Sequence, residues 1–266
     1  MKPENIFILR HGQSLGNVDR EIYKTVPDYA VPLTYIGHQE AENVGKDLYD
    51  IVGDSTVQFY VSPFWRTRQT YIGIRKSFTH SNNYYSYYED PRLREQEWGQ
   101  ARANEEMGYQ EVDEERDTYG HFYYRFSNGE SCADVFDRIS DFMGTMFRDF
   151  EKKEYPRNVI IVSHGMTMRL FLMRWYHCSV EEFETWGNPA NCGYFQLTRT
   201  DHEKYQLVTP IRKHVVRNKF RFRWENTTFD PPEYKLENSP DPEHTFQWYV
   251  KNGYEYDTWS NSWELK

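Results

Sequence analysis

Apolar positions along this chain fall alternately into short unbroken runs and helical stripes. Ile6-Phe7-Ile8-Leu9 is a run of strand length, and residues 5–9 are predicted as a strand. Val57-Gln58-Phe59-Tyr60-Val61 predicts a second strand, and Val159-Ile160-Ile161-Val162 lies at the centre of a third over 158–163. Residues 38–50 read as helix, another helix begins near Trp65, and 166–177 is helical again. The clearest stripe lies in 131–150, where Val135, Ile139, Phe142, Met143, Met146, Phe147 and Phe150 share one face at helical spacing. Ser131 with Asp134 forms the expected N-terminal cap of that helix. Cys192 to Leu197 reads as a further strand. The alternation predicts an α/β fold, a mostly parallel sheet flanked by helices on both faces. Sites in such open sheets form at the carboxyl ends of the strands.

Two of the apolar runs end in chemically specific residues. Ile6–Leu9 leads into Arg10-His11-Gly12-Gln13-Ser14, and the run at 159–162 ends in Ser163-His164-Gly165. Two strand ends, each with a His before a Gly, point to one site assembled from distant segments. Imidazole is a nucleophile toward phosphorus, and guanidinium grips phosphate oxygens in a forked pair. Taken singly, His11 also reads as a packing residue. His164 has a second reading as a metal ligand, but no His or Cys spacing of a metal site is present and no metal is expected.

With these motifs the chain resembles the histidine phosphatase superfamily, the phosphoglycerate mutase-like group. Leu9-Arg10-His11-Gly12-Gln13-Ser14 with Asn17 matches its signature, although Gln13 stands where the family usually carries an acidic residue. Further pieces follow in the family's order: Pro32-Leu33-Thr34 with Gly37, Ser62-Pro63 with Arg66-Thr67 and Gln69-Thr70, Leu93-Arg94-Glu95, Gly129-Glu130-Ser131 and Ser163-His164-Gly165. The resemblance covers about residues 4–200. Through the run from Leu93 to Gly99 and through Tyr124-Arg125-Phe126 it is closest to a eukaryotic branch of plant phosphoglycerate mutase-like proteins and fungal broad-range acid phosphatases. It implies a phosphoglycerate mutase-like fold with a lid inserted at about 97–128. It also implies a metal-independent phosphatase that hydrolyses phosphate monoesters through a phosphohistidine on His11, with no cofactor. Arg10, Arg66 and His164 are then expected on the phosphoryl oxygens, with Asn17 as a neutral donor. Glu95 is expected as the general acid, with Glu97 and Glu130 as rivals. Glu130, just before the long helix, also reads as structural.

The chain has 266 residues, a formal net charge of −9 and 18% aromatic residues. The negative balance argues against a nucleic-acid surface and against an anionic membrane partner. A local Arg cluster overrides a distant negative field, so a small-molecule phosphate ester is the expected partner. Cys132, Cys178 and Cys192 make a low, odd count, which predicts free thiols in a reducing cytosol. No leader peptide or membrane-length apolar run is read, so a cytoplasmic location without membrane insertion is expected. Residues 1–200 are expected to form the phosphatase domain. Residues 201–266, rich in Tyr and Trp, are expected as an extension packed on the core, or alternatively as a partner-binding tail. Between Glu97 and Gly129 only Arg102, Arg116 and Arg125 face the acidic run Glu111-Val112-Asp113-Glu114-Glu115. That composition favours entry of water over retention of a bisphosphate, hence a phosphatase over the alternative of a phosphoglycerate mutase. A phospho-ligand-binding member with little turnover is a third reading, against which the full set of site residues stands. Oligomeric state and the particular ester stay open at this level.

Overall fold

The computed structural model describes residues 2–78, 85–99, 112, 115–116, 118–202 and 204–213, together with the backbone of 254–257 and 262–265. Six strands form the central sheet: β1 (Asn5–Arg10), β2 (Val57–Val61), β3 (Tyr85–Glu89), β4 (Asn158–Ser163), β5 (Tyr194–Arg199) and β6 (Tyr205–Leu207). Their order is β3-β2-β4-β1-β5-β6. β3, β2, β4 and β1 are parallel neighbours, and β5 runs antiparallel to both β1 and β6. The sheet is therefore mostly parallel, as the alternation predicts.

Helices cover both faces: α1 (Leu15–Val18), α2 (Tyr35–Val52), α3 (Trp65–Arg75), α4 (Cys132–Phe150), α5 (Gly165–Tyr176) and α6 (Val180–Glu184). One core holds Phe7, Leu9, Phe59 and Val162 against α2 and α3, and the other holds Ile6, Ile8, Tyr60 and Ile161 against α4 and α5. Alternate residues of one strand thus enter opposite cores, which is why β1 and β4 read as unbroken apolar runs. Each fully buried Ile, Leu or Phe contributes about 1.5–3 kcal/mol relative to exposure. Small residues set the approach of α2 to α3. A Cβ added to Gly73 would lie 2.6 Å from the Ala41 Cβ, and one added to Gly45 would lie 2.9 Å from the Ile74 Cα.

The cap expected on the long helix is present. The Ser131 hydroxyl accepts from the Asp134 N–H at 3.2 Å, and the Asp134 carboxylate accepts from the Ser131 N–H at 2.7 Å. Such a cap contributes about 1 kcal/mol. Its apolar stripe is buried with one correction. Phe147, expected on that face, is 47% exposed. It follows Met146 by one residue, about 100° round the helix, and so sits at the rim beside Trp175, with ring centroids 5.5 Å apart.

Of the lid expected at 97–128, residues 100–111, 113–114 and 117 lie outside the described residues. The extension expected from 201 begins by packing on the core, with Leu207 and Ile211 buried among the residues of α4 and α5. Residues 214–253, 258–261 and 266 lie outside the described residues, and Tyr254–Asp257 (β7) pairs antiparallel with Ser262–Leu265 (β8). Among the described residues no helix is long and apolar enough to cross a membrane.

Candidate active site

The order β2-β4-β1 sets three strand ends side by side, and each carries a residue of the site. The ladder extends past those ends: the His11 N–H donates to the Ser163 carbonyl and the Ser62 N–H to the Val162 carbonyl, each at 3.0 Å. His11 and His164 therefore meet, with ring centroids 5.2 Å apart in an edge arrangement. Both side chains are buried, as are Arg10 and Arg66.

Two hydrogen bonds define the His11 ring. Nδ1–H donates to the Gly12 carbonyl at 2.7 Å, and the Arg66 Nε–H donates to Nε2 at 3.2 Å. An Arg nitrogen has no lone pair to offer, so Nε2 must be the unprotonated nitrogen. The imidazole is thus held in the tautomer a nucleophile requires, with its reactive lone pair capped by Arg66.

The turn after His11 is fixed against α2. A Cβ on Gly12 would lie 2.5 Å from the Gly37 carbonyl oxygen, and one on Gly37 would lie 2.1 Å from the Gln13 carbonyl oxygen. The two glycines permit this approach of backbone to backbone. Thr34 caps α2 by accepting from the Gly37 N–H at 3.0 Å and donates its hydroxyl to the Gln13 side chain at 2.8 Å. The Gln13 N–H donates to the buried Glu40 carboxylate at 2.7 Å. The Gly12 N–H donates to the Thr70 hydroxyl at 3.0 Å, tying the turn to α3.

Arg66 is held on three sides. Its Nε faces His11, and its guanidinium carbon lies 4.9 Å from the centroid of the Phe64 ring. Its Nη1 donates to the Asp28 carbonyl at 2.7 Å and to the Asp28 carboxylate at 2.9 Å. Phe64 also packs edge-on against His164 at 5.1 Å, so one ring contacts both Arg66 and His164. Asp28 and Phe64 carry no motif that singles them out in the sequence. Asp28 lies 38 residues from Arg66 along the chain, and only the closure of the 3-10 turn at Asp28–Ala30 brings them together. Asp28→Ala removes one of the two acceptors of Nη1 on a buried guanidinium, a loss of about 1–3 kcal/mol. If Asp28 positions Arg66, kcat/KM toward nitrophenyl phosphate drops roughly 5–100-fold while Asp28→Asn, which keeps an acceptor, loses less. Equal values for wild type and Asp28→Ala in that assay would remove Asp28 from the site.

His164 is the N-cap residue of α5. Its Nε2 lies 2.8 Å from the Ser62 hydroxyl, and its Nδ1 lies 3.9 Å from Glu95 Oε2. The loop that carries Glu95 is pinned to β4, α5 and α4. Ser163 donates its hydroxyl to the Leu93 carbonyl at 2.8 Å, Thr167 to the Arg94 carbonyl at 2.9 Å, and Arg138 Nη2 donates to the Glu95 carbonyl at 3.1 Å. The Gln96 N–H holds Glu95 Oε1 at 3.0 Å and leaves Oε2 toward His164. The rival Glu130 is engaged elsewhere, by Arg94, by Arg138 at 3.1 Å and by the Glu97 N–H at 3.0 Å. Glu97 accepts from the Gly99 N–H at 3.2 Å.

The remaining expected residues sit at the margin. Arg10 Nη1 donates to the Pro189 carbonyl at 2.8 Å, and the Cys192 N–H donates to the His11 carbonyl at 3.2 Å, so residues 189–192 form a wall of the site. Asn17 spends its side-chain oxygen on Ser14, accepting from its N–H at 2.9 Å and from its hydroxyl at 3.0 Å. Its amide N–H groups remain as donors. Both amide atoms of Asn191 are buried with no hydrogen-bond partner among the described residues.

The model of the histidine phosphatase superfamily, branch 1, matches residues 6–210. Phosphoglycerate mutase-like protein AT74H of Arabidopsis thaliana is 38% identical over 209 residues, covering 73% of this chain and 73% of that one. The broad-range acid phosphatase DET1 of Saccharomyces cerevisiae is 27% identical, covering 80% and 90% respectively. Among solved structures, mycobacterial glucosyl-3-phosphoglycerate phosphatase matches with a TM-score of 0.58 and 20% identity, covering 77% of this chain and 96% of that one. At that identity the likeness is one of fold.

Proposed function

The chain belongs to the histidine phosphatase superfamily, branch 1, and from that premise we propose that it hydrolyses phosphate monoesters through a phosphohistidine on His11. The observation that carries this reading is the pair of hydrogen bonds on the His11 ring, which leaves Nε2 unprotonated. An arriving phosphoryl oxygen takes over the Arg66 Nε–H and uncaps the lone pair. Nε2 then attacks phosphorus, the bond to the ester oxygen breaks, and Glu95 in its acid form gives that oxygen a proton. Arg10, Arg66 and His164 hold the equatorial oxygens, with Asn17 as a further donor. Such preorganised cationic donors stabilise charge that spreads over those oxygens in the transition state. In the second step Glu95 takes a proton from water, the hydroxide oxygen bonds phosphorus, and the phosphorus–nitrogen bond breaks to release inorganic phosphate and free His11.

A panel of phosphate esters tests this. Inorganic phosphate is the expected main product from 3-phosphoglycerate and from simpler esters, and the rate is expected to survive exhaustive chelation because guanidinium and imidazole groups supply the positive charge. Loss of activity with EDTA, restored by a divalent ion, would overturn the metal-independent mechanism. Interconversion of 2- and 3-phosphoglycerate with little phosphate released would instead establish a mutase.

A further inference from the structure

The His11 ring and the Glu40 carboxylate hold opposite ends of one peptide group. The peptide joining Gly12 to Gln13 accepts from His11 Nδ1–H at its carbonyl, 2.7 Å away, and donates through the Gln13 N–H to Glu40 Oε2, also at 2.7 Å. Both bonds are shorter than the usual N–H···O distance of about 2.9–3.0 Å. The neighbouring bonds of the turn are longer: the Gly12 N–H lies 3.0 Å from the Thr70 hydroxyl, and the Thr34 N–H lies 2.9 Å from the Gln13 carbonyl. The peptide is also locked in place. The close approach of Gly12 to Gly37 presses it against α2, and Thr34 engages both the carbonyl and the side chain of Gln13.

Glu40 is buried, and the phosphoryl pocket makes no direct use of it. A buried carboxylate is costly to charge, and here the charge has a place to act. Attack by Nε2 on phosphorus leaves the ring with its Nδ1–H and a positive charge. The Gly12 carbonyl faces that charge. A negative group on the far side of the same peptide polarises the carbonyl toward it, because hydrogen bonds in a chain strengthen one another. A ring that keeps its Nδ1 proton is also the better leaving group when water takes the phosphoryl group.

We infer that ionised Glu40 is a positioning residue for His11, acting through the Gly12–Gln13 peptide to hold the Nδ1 proton and to stabilise the positive ring formed when Nε2 takes the phosphoryl group. This relay rests on the phosphohistidine reading above. Glu40 lies 27 residues beyond Gln13, inside α2, and only the docking of that helix on the turn joins the two.

The test replaces Glu40 by Gln, whose amide oxygen still accepts from the Gln13 N–H but carries no charge. His11 is titrated by NMR in ligand-free protein labelled with nitrogen-15 histidine, its signals picked from those of the nine histidines by comparison with His11→Ala. A carboxylate stabilises the imidazolium, so Glu40→Gln is expected to move the His11 titration roughly 0.5–1.5 pH units lower. The other charged and titratable groups around the ring, Arg10, Arg66, His164 and Glu95, are common to both proteins. So is Cys192, which feels the field of Glu40 and whose thiol burial pushes well up and keeps neutral. At a pH where His11 is neutral in both proteins, formation of phosphohistidine at saturating ester is expected to slow roughly 3–30-fold in Glu40→Gln. The loss falls equally on alkyl and nitrophenyl phosphates, because Glu40 acts on the nucleophile and Glu95 on the leaving group. A folded variant whose His11 titrates as in wild type overturns the relay, even where its rate falls. A lowered titration with an unchanged burst overturns its part in the reaction. Where wild type forms no phosphohistidine, the phosphatase reading fails, and a lowered titration still supports the coupling of Glu40 to the ring. If Glu40→Gln does not fold, Glu40→Asp takes its place. It keeps the charge but withdraws it from the Gln13 N–H, and a smaller lowering of the same sign is expected; an unmoved titration there overturns the relay.

Discussion

His11→Ala is expected to leave no covalent phosphoenzyme and to lower turnover of phosphate monoesters by at least roughly 10⁴-fold, the scale on which removal of a nucleophile acts. The expectation follows from geometry. His11 Nε2 is the unprotonated nitrogen of a ring fixed from both sides, by the Gly12 carbonyl and by Arg66. Among the described residues of the site, no other side chain combines a lone pair with two constraints of that kind. His164, the other imidazole, is held at Nε2 by Ser62 and faces Glu95 at Nδ1. Brief reaction of wild type with a radiolabelled ester is expected to leave label that is labile to acid and stable to base, and the variant is expected to leave none. Because the side chain is buried, the variant's melting temperature must be measured beside its activity. A folded His11→Ala protein with near-normal turnover would sink the phosphohistidine mechanism.

Glu95→Gln separates substrates by their leaving groups. The substitution keeps the shape and the acceptor for the Gln96 N–H but removes the transferable proton. A sugar or glycerol alkoxide leaves poorly without that proton, whereas nitrophenolate leaves with little help. Formation of phosphohistidine from alkyl phosphates is therefore expected to slow by roughly 10²–10⁴-fold, the usual range for general acid catalysis, and formation from nitrophenyl phosphate by much less. Steady-state turnover would mix this step with the proposed hydrolysis of the intermediate, in which Glu95 is the proposed base, so the burst phase is the proper readout. Equal slowing of the burst for both kinds of ester would remove Glu95 as the acid. Glu130 is a poor replacement, being fixed by Arg138 and Arg94, and Glu97 would be tested next.

The sequence by itself determined the strands β1, β2 and β4, the helices α2 to α5 and the Ser131 cap, because periodicity and capping act within a few residues. It also determined the ordered motif set that locates His11, Arg66, Glu95 and His164, of which His11, Arg66 and His164 lie at element boundaries that the pattern marks and Glu95 is singled out by the family resemblance of Leu93-Arg94-Glu95. The tertiary structure alone decided what crosses space. It placed β3 and β6 at the sheet edges, where pairing with one neighbour outweighs any apolar run, and it left Phe147 at the exposed rim of the helix, about 100° from Met146. It joined Asp28 to Arg66 and tied Gln13 to Thr34 while Glu40 holds the Gln13 N–H. It also set the Met166 sulfur between Arg169 and Cys132. The physical reason is the same in each case. Local pattern records which face of an element is buried. The partner of a polar or charged group depends on how distant segments close, and residue spacing along the chain carries no record of that closure.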